Sequence, residues 1–256
     1  MNPIIILLSW VAASASAQLI PASFDARTRW PNCSSIGRIQ NQGCCKASHA
    51  LIPAAVITDR VCIQSNGTNT RIYSGYDALA CCTDCSFFPL QQCLGGDPVK
   101  VWNYWVTTGL ASESCMPLSL LNPLCLGSIC PLLCKLGSLL TITNDRKKGL
   151  SMTEVPSDMI SIQSEILANG PVETQLDVYT NFLSLPPGAV VDSIVGDYID
   201  FRSVKIIGWG TQNNTPYWLI VGSFGLGWGD NGVGMILRGQ NFLQIESNVR
   251  AGKLIV

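Results

Sequence analysis

The side chains best equipped for chemistry crowd into one short run, Gln42-Gly43-Cys44-Cys45-Lys46-Ala47-Ser48-His49. Ser48 offers a hydroxyl, which has no ionised form near neutral pH and must give its proton to a base as it attacks a carbonyl. Two candidate bases lie beside it. His49 is the only histidine of the chain, but neighbours at i and i+1 on a helix diverge around its axis and do not face each other. Lys46 would serve a Ser–Lys arrangement only if burial lowered its pKa, and nothing in the sequence buries it. Gln42 carries a carboxamide of the kind that donates to a developing oxyanion, or that simply holds a loop together. A lone histidine also argues against a zinc site, so no metal and no cofactor is expected.

The elements that must position these groups are read from periodicity. Ser48 to Cys62 carries apolar residues on helical spacing, Val99 to Thr107 suggests a second amphipathic helix, and Met159 to Asn169 a third, closed by Gly170-Pro171. Pro53 falls inside the first of these, so that helix either begins later or kinks there. After Pro171 come short β-prone runs, Val204 to Trp209, Tyr217 to Val221 and Val233 to Leu237, parted by Gly- and Asn-rich turns. The pattern is a helical first half and a sheet-rich second half, with a cleft between them as the natural place for a site.

The chain has 256 residues, 16 basic and 17 acidic, with 47% hydrophobic and only 13% charged. It can bury a large core, and its near-neutral charge gives no footprint for nucleic acid or anionic membrane. Twelve cysteines, an even and high count, point to disulfides and an oxidising compartment. Residues 1–17 read as a removed leader, an apolar stretch from Pro3 to Ala13 followed by Ser14-Ala15-Ser16-Ala17. Three glycosylation triplets, at Asn32, Asn66 and Asn213, fit that secretory route, with an extracellular or lysosome-like destination. Cys115 to Leu140 is nearly all apolar, yet Pro117, Pro123, Pro131, Gly127 and Gly137 interrupt it, so no spanning helix is expected. It reads as a disulfide-pinned loop whose leucines, Leu118, Leu120, Leu121 and Leu124 among them, are buried against the body or else form a contact face for a partner.

Longer motifs recur along the chain: Ile20-Pro21-Ala22-Ser23-Phe24-Asp25-Ala26-Arg27, the run from Asn41 to Ala50, the vicinal Cys81-Cys82, Cys93-Leu94-Gly95-Gly96, Gly208-Trp209-Gly210, Thr215-Pro216-Tyr217-Trp218-Leu219, Trp228-Gly229-Asp230-Asn231-Gly232 and Ile236-Leu237-Arg238-Gly239-Gln240. In this order they resemble the papain family of cysteine proteases, its cathepsin B branch most of all, over essentially the whole of residues 18–256. The resemblance implies an α+β, papain-like, two-lobed and disulfide-stapled fold. A mainly helical lobe would cover about 38–130, a mainly β lobe about 131–256, and a peptide-binding cleft would lie between them.

Carried over position by position, the family's nucleophile falls on Ser48, its general base on Arg202, and its orienting asparagine on Gly222 in Gly222-Ser223-Phe224, where the family has Asn-Ser-Trp. Arginine cannot accept a proton at physiological pH. Gln42 remains at the oxyanion position, and Gly95, Gly96, Trp228 and Asn248 fall at binding positions, Asn248 where cathepsin B has an acidic residue for basic side chains. The segment between Cys115 and Cys130 is short and lacks histidine, so carboxydipeptidase activity is not implied. Residues matching the mature start begin at Ile20, directly after the leader, and no inhibitory pro-segment is expected. The implied disulfides are Cys33–Cys62, Cys45–Cys93, Cys81–Cys130, Cys82–Cys85 and Cys115–Cys134, leaving Cys125 over and Cys44 as a free or partner-seeking thiol. The expected function is that of a secreted pseudoprotease that retains a cleft for a peptide or protein. The alternatives are a hydrolase of altered mechanism using Ser48, and a secreted structural or interaction protein.

Overall fold

From Ser48 to Gln64 the backbone is helical without interruption, and almost every one of its 17 residues is buried. A helix apolar on all sides belongs in an interior, and this one lies between the two halves of the molecule. The structure is a computed structural model that describes residues 19–88, 91–118, 125, 129–135 and 139–253; the leader assigned to residues 1–17 lies outside them.

The elements in chain order are β1 (Phe24–Asp25), α1 (Ala26–Arg29), α2 (Ser48–Gln64), α3 (Gly75–Cys81), α4 (Pro98–Thr107), α5 (Ile142–Asp145), β2 (Ser151–Glu154), α6 (Met159–Asn169), β3 (Val172–Tyr179), β4 (Val190–Val191), β5 (Tyr198–Gln212), β6 (Thr215–Val221), β7 (Val233–Leu237) and β8 (Arg250–Lys253). The strands form one sheet in the order β2-β8-β3-β5-β6-β7-β4, with β1 paired to β5. All pairings are antiparallel except that of β4 with β7.

Local chemistry sets the element ends. Asp97 caps α4 by accepting from the Val99 amide, with Pro98 in the first turn, where its missing N–H costs nothing. Asp158 does the same for α6, and Gly170 ends that helix at φ 99°. Pro53 neither delays nor ends α2: the helix starts at Ser48 and passes through it, leaving the His49 carbonyl without its usual donor from four residues on.

One core packs Leu51, Val56 and Ile57 of α2 against Leu79, Trp102 and Trp105; a second packs Ile162 and Ile166 of α6 against Leu176, Ile206, Trp218 and Ile220 of the sheet. Buried charges join the two. Lys205 of β5 donates to Asp59 of α2 at 2.7 Å, both essentially without solvent exposure. Arg60 of α2 pairs with Glu165 and donates to the carbonyls of Gly170, Pro171 and Gly252. At the N-terminal end Phe24 stacks on Trp209 at 4.9 Å, and Gly208 lets β1 approach, because a Cβ there would lie 2.1 Å from the Phe24 carbonyl oxygen.

Six disulfides staple the chain: Cys33–Cys62, Cys45–Cys93, Cys81–Cys130, Cys82–Cys85, Cys115–Cys134 and Cys44–Cys125. The last corrects the expectation of a free Cys44. Folding brings the α carbons of Cys44 and Cys125 to 5.9 Å, within bridging range. The apolar segment after Cys115 divides. Leu118 is half-buried against the first core, whereas Ile129, Leu132 and Leu139 are 88%, 87% and 97% exposed, so burial against the body fails for those three. Leu120, Leu121 and Leu124 lie outside the described residues. Among the described residues no helix is long and apolar enough to cross a membrane.

Candidate functional site

Ser48 is the first helical residue of α2, and the preceding Ala47 supplies no side-chain cap. The turn before it is fixed by the Cys45–Cys93 bridge and by the Lys46 amide donating to the Cys93 carbonyl at 2.9 Å. The same bridge anchors the strand-like Gly95-Gly96 segment beside the helix start. Across from it runs β5, whose alternation points Asp200 and Arg202 to one face.

These elements enclose a small cavity of about 60 Å³ lined by Lys46, Ser48, His49, Gly95, Gly96, Gln175, Arg202 and Ser203, among others. Ser48 is 5% exposed, and its Oγ accepts a hydrogen bond from the Ser203 amide at 3.2 Å. Ser203 is held in turn through its own hydroxyl, which donates to Glu173 Oε1 at 2.9 Å. Glu173 is fully buried between Trp102, Ser203 and Arg250; burial pushes its carboxyl above the ordinary range against the pull of Arg250.

Arg202 lines the Ser48 cavity, but its guanidinium is committed elsewhere. Nε donates to Asp200 Oδ1 at 2.9 Å, and the cation lies over the Phe224 ring at 5.6 Å. Lys46 reaches across from the other wall to Asp200 Oδ2 at 3.1 Å. One carboxylate therefore holds both cations and ties the walls of the groove together beside Ser48. Phe87 and Phe201 make a second tie, edge to face at 6.0 Å.

His49 is 3% exposed, and neither of its ring nitrogens is hydrogen-bonded to the Ser48 hydroxyl. Its Nδ1 lies 3.2 Å from the Lys46 carbonyl, which accepts only, so Nδ1 carries the proton and the lone pair is on Nε2. Nε2 has no hydrogen-bond partner and packs on Gly96, where a Cβ would approach it to 2.4 Å. Burial lowers the ring's pKa to about 4, so it is neutral at physiological pH.

Gly222 lies beneath an aromatic ring. A Cβ at this position would sit 2.1 Å from Phe224 Cε2, so Phe224 fills the space in which a side chain at 222 would stand. Gln42 is 4% exposed; its amide donates to the Ser223 carbonyl at 3.0 Å and its Oε1 accepts from Ser223 Oγ at 2.5 Å, leaving Nε2 as the remaining donor. Asn248 lines an adjoining cavity of about 250 Å³ with Gln175, Asp177, Phe201 and Gln244. Trp228, expected at a binding position, lies beneath Phe224. It is 3% exposed, donates its indole N–H to the Phe182 carbonyl and packs on Phe224 at 4.7 Å, so it supports the site from within.

Sequence reasoning singled out Ser48, Arg202 and Gly222 but missed Asp200, Ser203 and Phe224, which decide what those three touch. Asp200 had a readable signal, standing two residues before Arg202 in a β-prone stretch and so on the same face.

The family described as "Papain family cysteine protease" matches residues 20–253. The chain is 36% identical over 249 residues to a gut-specific cysteine proteinase of Caenorhabditis elegans, covering 91% of this chain and 74% of that protein. It is 34% identical over 254 residues to a cathepsin B-like cysteine proteinase of Schistosoma japonicum, covering 91% and 73%. Among solved structures, procathepsin B S9 from Trypanosoma congolense superposes with a TM-score of 0.85 at 32% identity, over 94% of this chain and 80% of that one. Digestive procathepsin L 3 of Tenebrio molitor, at 21% identity and a TM-score of 0.74 over 93% and 72%, shares the fold. With its groove and its six disulfides, the chain belongs to the papain family of cysteine proteases, on the cathepsin B-like side of it.

Proposed function

We propose that this member of the family holds a peptide or protein segment in its groove without cleaving it. The observation that carries the reading is the surroundings of Ser48 Oγ, the hydroxyl at the family's nucleophile position. Its hydrogen-bond contact is the Ser203 amide, a donor. A hydroxyl attacks only when a base takes its proton, and the nearby side chains do not serve. Arg202 is a permanent cation bound to Asp200. Lys46 is half exposed and its Nζ is engaged by the same carboxylate at 3.1 Å; this weighs against the alternative of a Ser48–Lys46 hydrolase. The lone pair of His49 lies against Gly96 and is not in hydrogen-bond contact with the Ser48 hydroxyl.

What remains supports binding. Gly95 and Gly96 line the cavity beside Ser48, and a second cavity at Asn248 continues the groove, with Phe201 bordering both. Asn248 offers hydrogen bonds and no charge, so arginine or lysine gains no ion pair from it.

The test is a peptidase assay across pH on the fully oxidised protein, beside a variant carrying Ser48→Cys, Arg202→His, Gly222→Asn and Phe224→Trp. The fourth change completes the Asn-Ser-Trp run that the family has where this chain reads Gly222-Ser223-Phe224. The expected result is no turnover by the natural protein. Turnover that Ser48→Ala abolishes would overturn the reading.

A further inference from the structure

The three Asn-X-Ser/Thr triplets are not equivalent in the folded chain. Helix α2 carries Ser48 at its start and, about 25 Å away at the far end of its 17 residues, runs into Asn66-Gly67-Thr68. Strand β5 carries Arg202 near its start and, about 30 Å farther along the strand, turns at Asn213-Asn214-Thr215. Each of the two elements that build the groove thus holds a groove residue at one end and a triplet at the other.

The local geometry presents both asparagines to solvent. Asn66 is exposed just past the end of α2, with φ 52°, a left-handed conformation that asparagine tolerates. Asn213 is exposed at the tip of the β5–β6 hairpin, where Gln212 pairs with Thr215 and the two residues between have φ 49° and 64°, a type I′ turn. Asn32 differs. It is also exposed, but its neighbour Cys33 is half of the Cys33–Cys62 bridge, and its side chain leans on the turn that carries Asn66. A Cβ on Gly67 would lie 3.0 Å from Asn32 Cβ and 3.8 Å from its Nδ2. One corner thus holds two triplets, with the Asn32 side chain lying against Gly67 of the other.

We propose that Asn66 and Asn213 are N-glycosylation sites of this protein and that Asn32 stays unmodified. The donor class is a lipid-pyrophosphate-linked oligosaccharide of the secretory route, to which six disulfides point independently. The side-chain amide nitrogen forms a bond to the sugar C1 as the bond from C1 to the pyrophosphate oxygen breaks; the amide gives up one proton and the lipid pyrophosphate leaves. Both sugars then stand at the ends of α2 and β5 remote from the groove, whose rim at Phe87, Leu94 and Phe201 stays bare. The inference does not rest on the absence of peptidase activity.

The experiment expresses the full chain behind a secretion leader in insect cells and compares mobility before and after glycosidase treatment, with glycopeptides read by mass spectrometry. The natural sequence is expected to lose two steps on deglycosylation. Thr68→Ala and Thr215→Ala should each remove one step, and Asn32→Gln none. A glycan found on Asn32, or no step lost in either threonine variant, overturns the proposal. Where a variant is retained in the cell, the same glycopeptides are read from the membrane fraction, because transfer precedes export.

Discussion

Lys46 and Asp200 meet across the groove, Nζ to Oδ2 at 3.1 Å, while the other oxygen of the same carboxylate holds Arg202. Lys46, Asp200 and Arg202 thus form a chain of paired charges along one side of the Ser48 cavity. It also closes the groove over a hydroxyl that is 5% exposed.

Ser48→Cys turns that closure into a measurable rate. All twelve native cysteines are paired in six bridges, so the new thiol is the one free sulfur. It is expected to react slowly with a maleimide, and several-fold faster when Asp200→Ala is added. The second change also leaves Arg202, whose side chain is only 15% exposed, without its carboxylate partner, so the fold of the double variant is checked by its thermal melt alongside the labelling. An unchanged labelling rate would show that the Lys46–Asp200 tie does not shield the site.

The Gly222 and Phe224 positions are coupled through one volume. Gly222→Ala places a methyl group 2.1 Å from the Phe224 ring, and overpacking of this kind costs about 1–3 kcal/mol. Combined with Phe224→Leu, the same alanine should cost distinctly less than the sum of the single changes. Strict additivity in denaturant melts would mean that the ring is not what keeps position 222 bare.

Lys205→Met tests the buried tie between α2 and β5. It leaves Asp59 without its partner in a site with no solvent exposure, a change expected to cost about 3–5 kcal/mol. Burial already pushes the Asp59 carboxyl above its ordinary range against the pull of Lys205. Without the lysine the folded state holds a proton that the unfolded state has released, so stability falls as pH rises above the unfolded value. The loss should therefore be smaller at pH 4 than at pH 7. A pH-independent loss would contradict this account.

His49 gives the opposite sign. The unfolded imidazole takes a proton below about 6.5, while the buried ring refuses one until about 4. Across that window the unfolded state binds more protons, so stability present above pH 6.5 is lost as pH falls toward 4, by roughly 3 kcal/mol. The difference between the natural protein and His49→Gln isolates this contribution from the carboxylates. A difference that is flat between pH 7 and 4 would mean that the ring is not held neutral.

How much of this was legible beforehand depends on how local each feature is. Helix α6 occupies the residues that its apolar spacing and Gly170-Pro171 stop indicated, and α4 differs by one residue at its start. Strand β5 is longer than the run from Val204 to Trp209 suggested, because its first residues, with exposed Tyr198 and half-buried Asp200 and Arg202, lack a continuous apolar signal. Pro53 does not delay the start of α2, which runs through it from Ser48. A helix buried on nearly every side tolerates one lost hydrogen bond, since its packing holds it in place. Cys44 misled because nothing in the apolar sequence around Cys125 shows that folding brings the two α carbons to 5.9 Å.

By itself the sequence determined the family, through motifs that are contiguous and need no folding to be read, and with it the residue types at positions 48, 202 and 222. Tertiary structure alone decided what those residues touch. Asp200 claims both Lys46 and Arg202, Ser203 turns a donor toward Ser48, Phe224 covers Gly222, and His49 faces Gly96. The physical reason is that a side chain's protonation and reach are set by its neighbours in space, and most of these neighbours are brought in from parts of the chain far from the residue they touch.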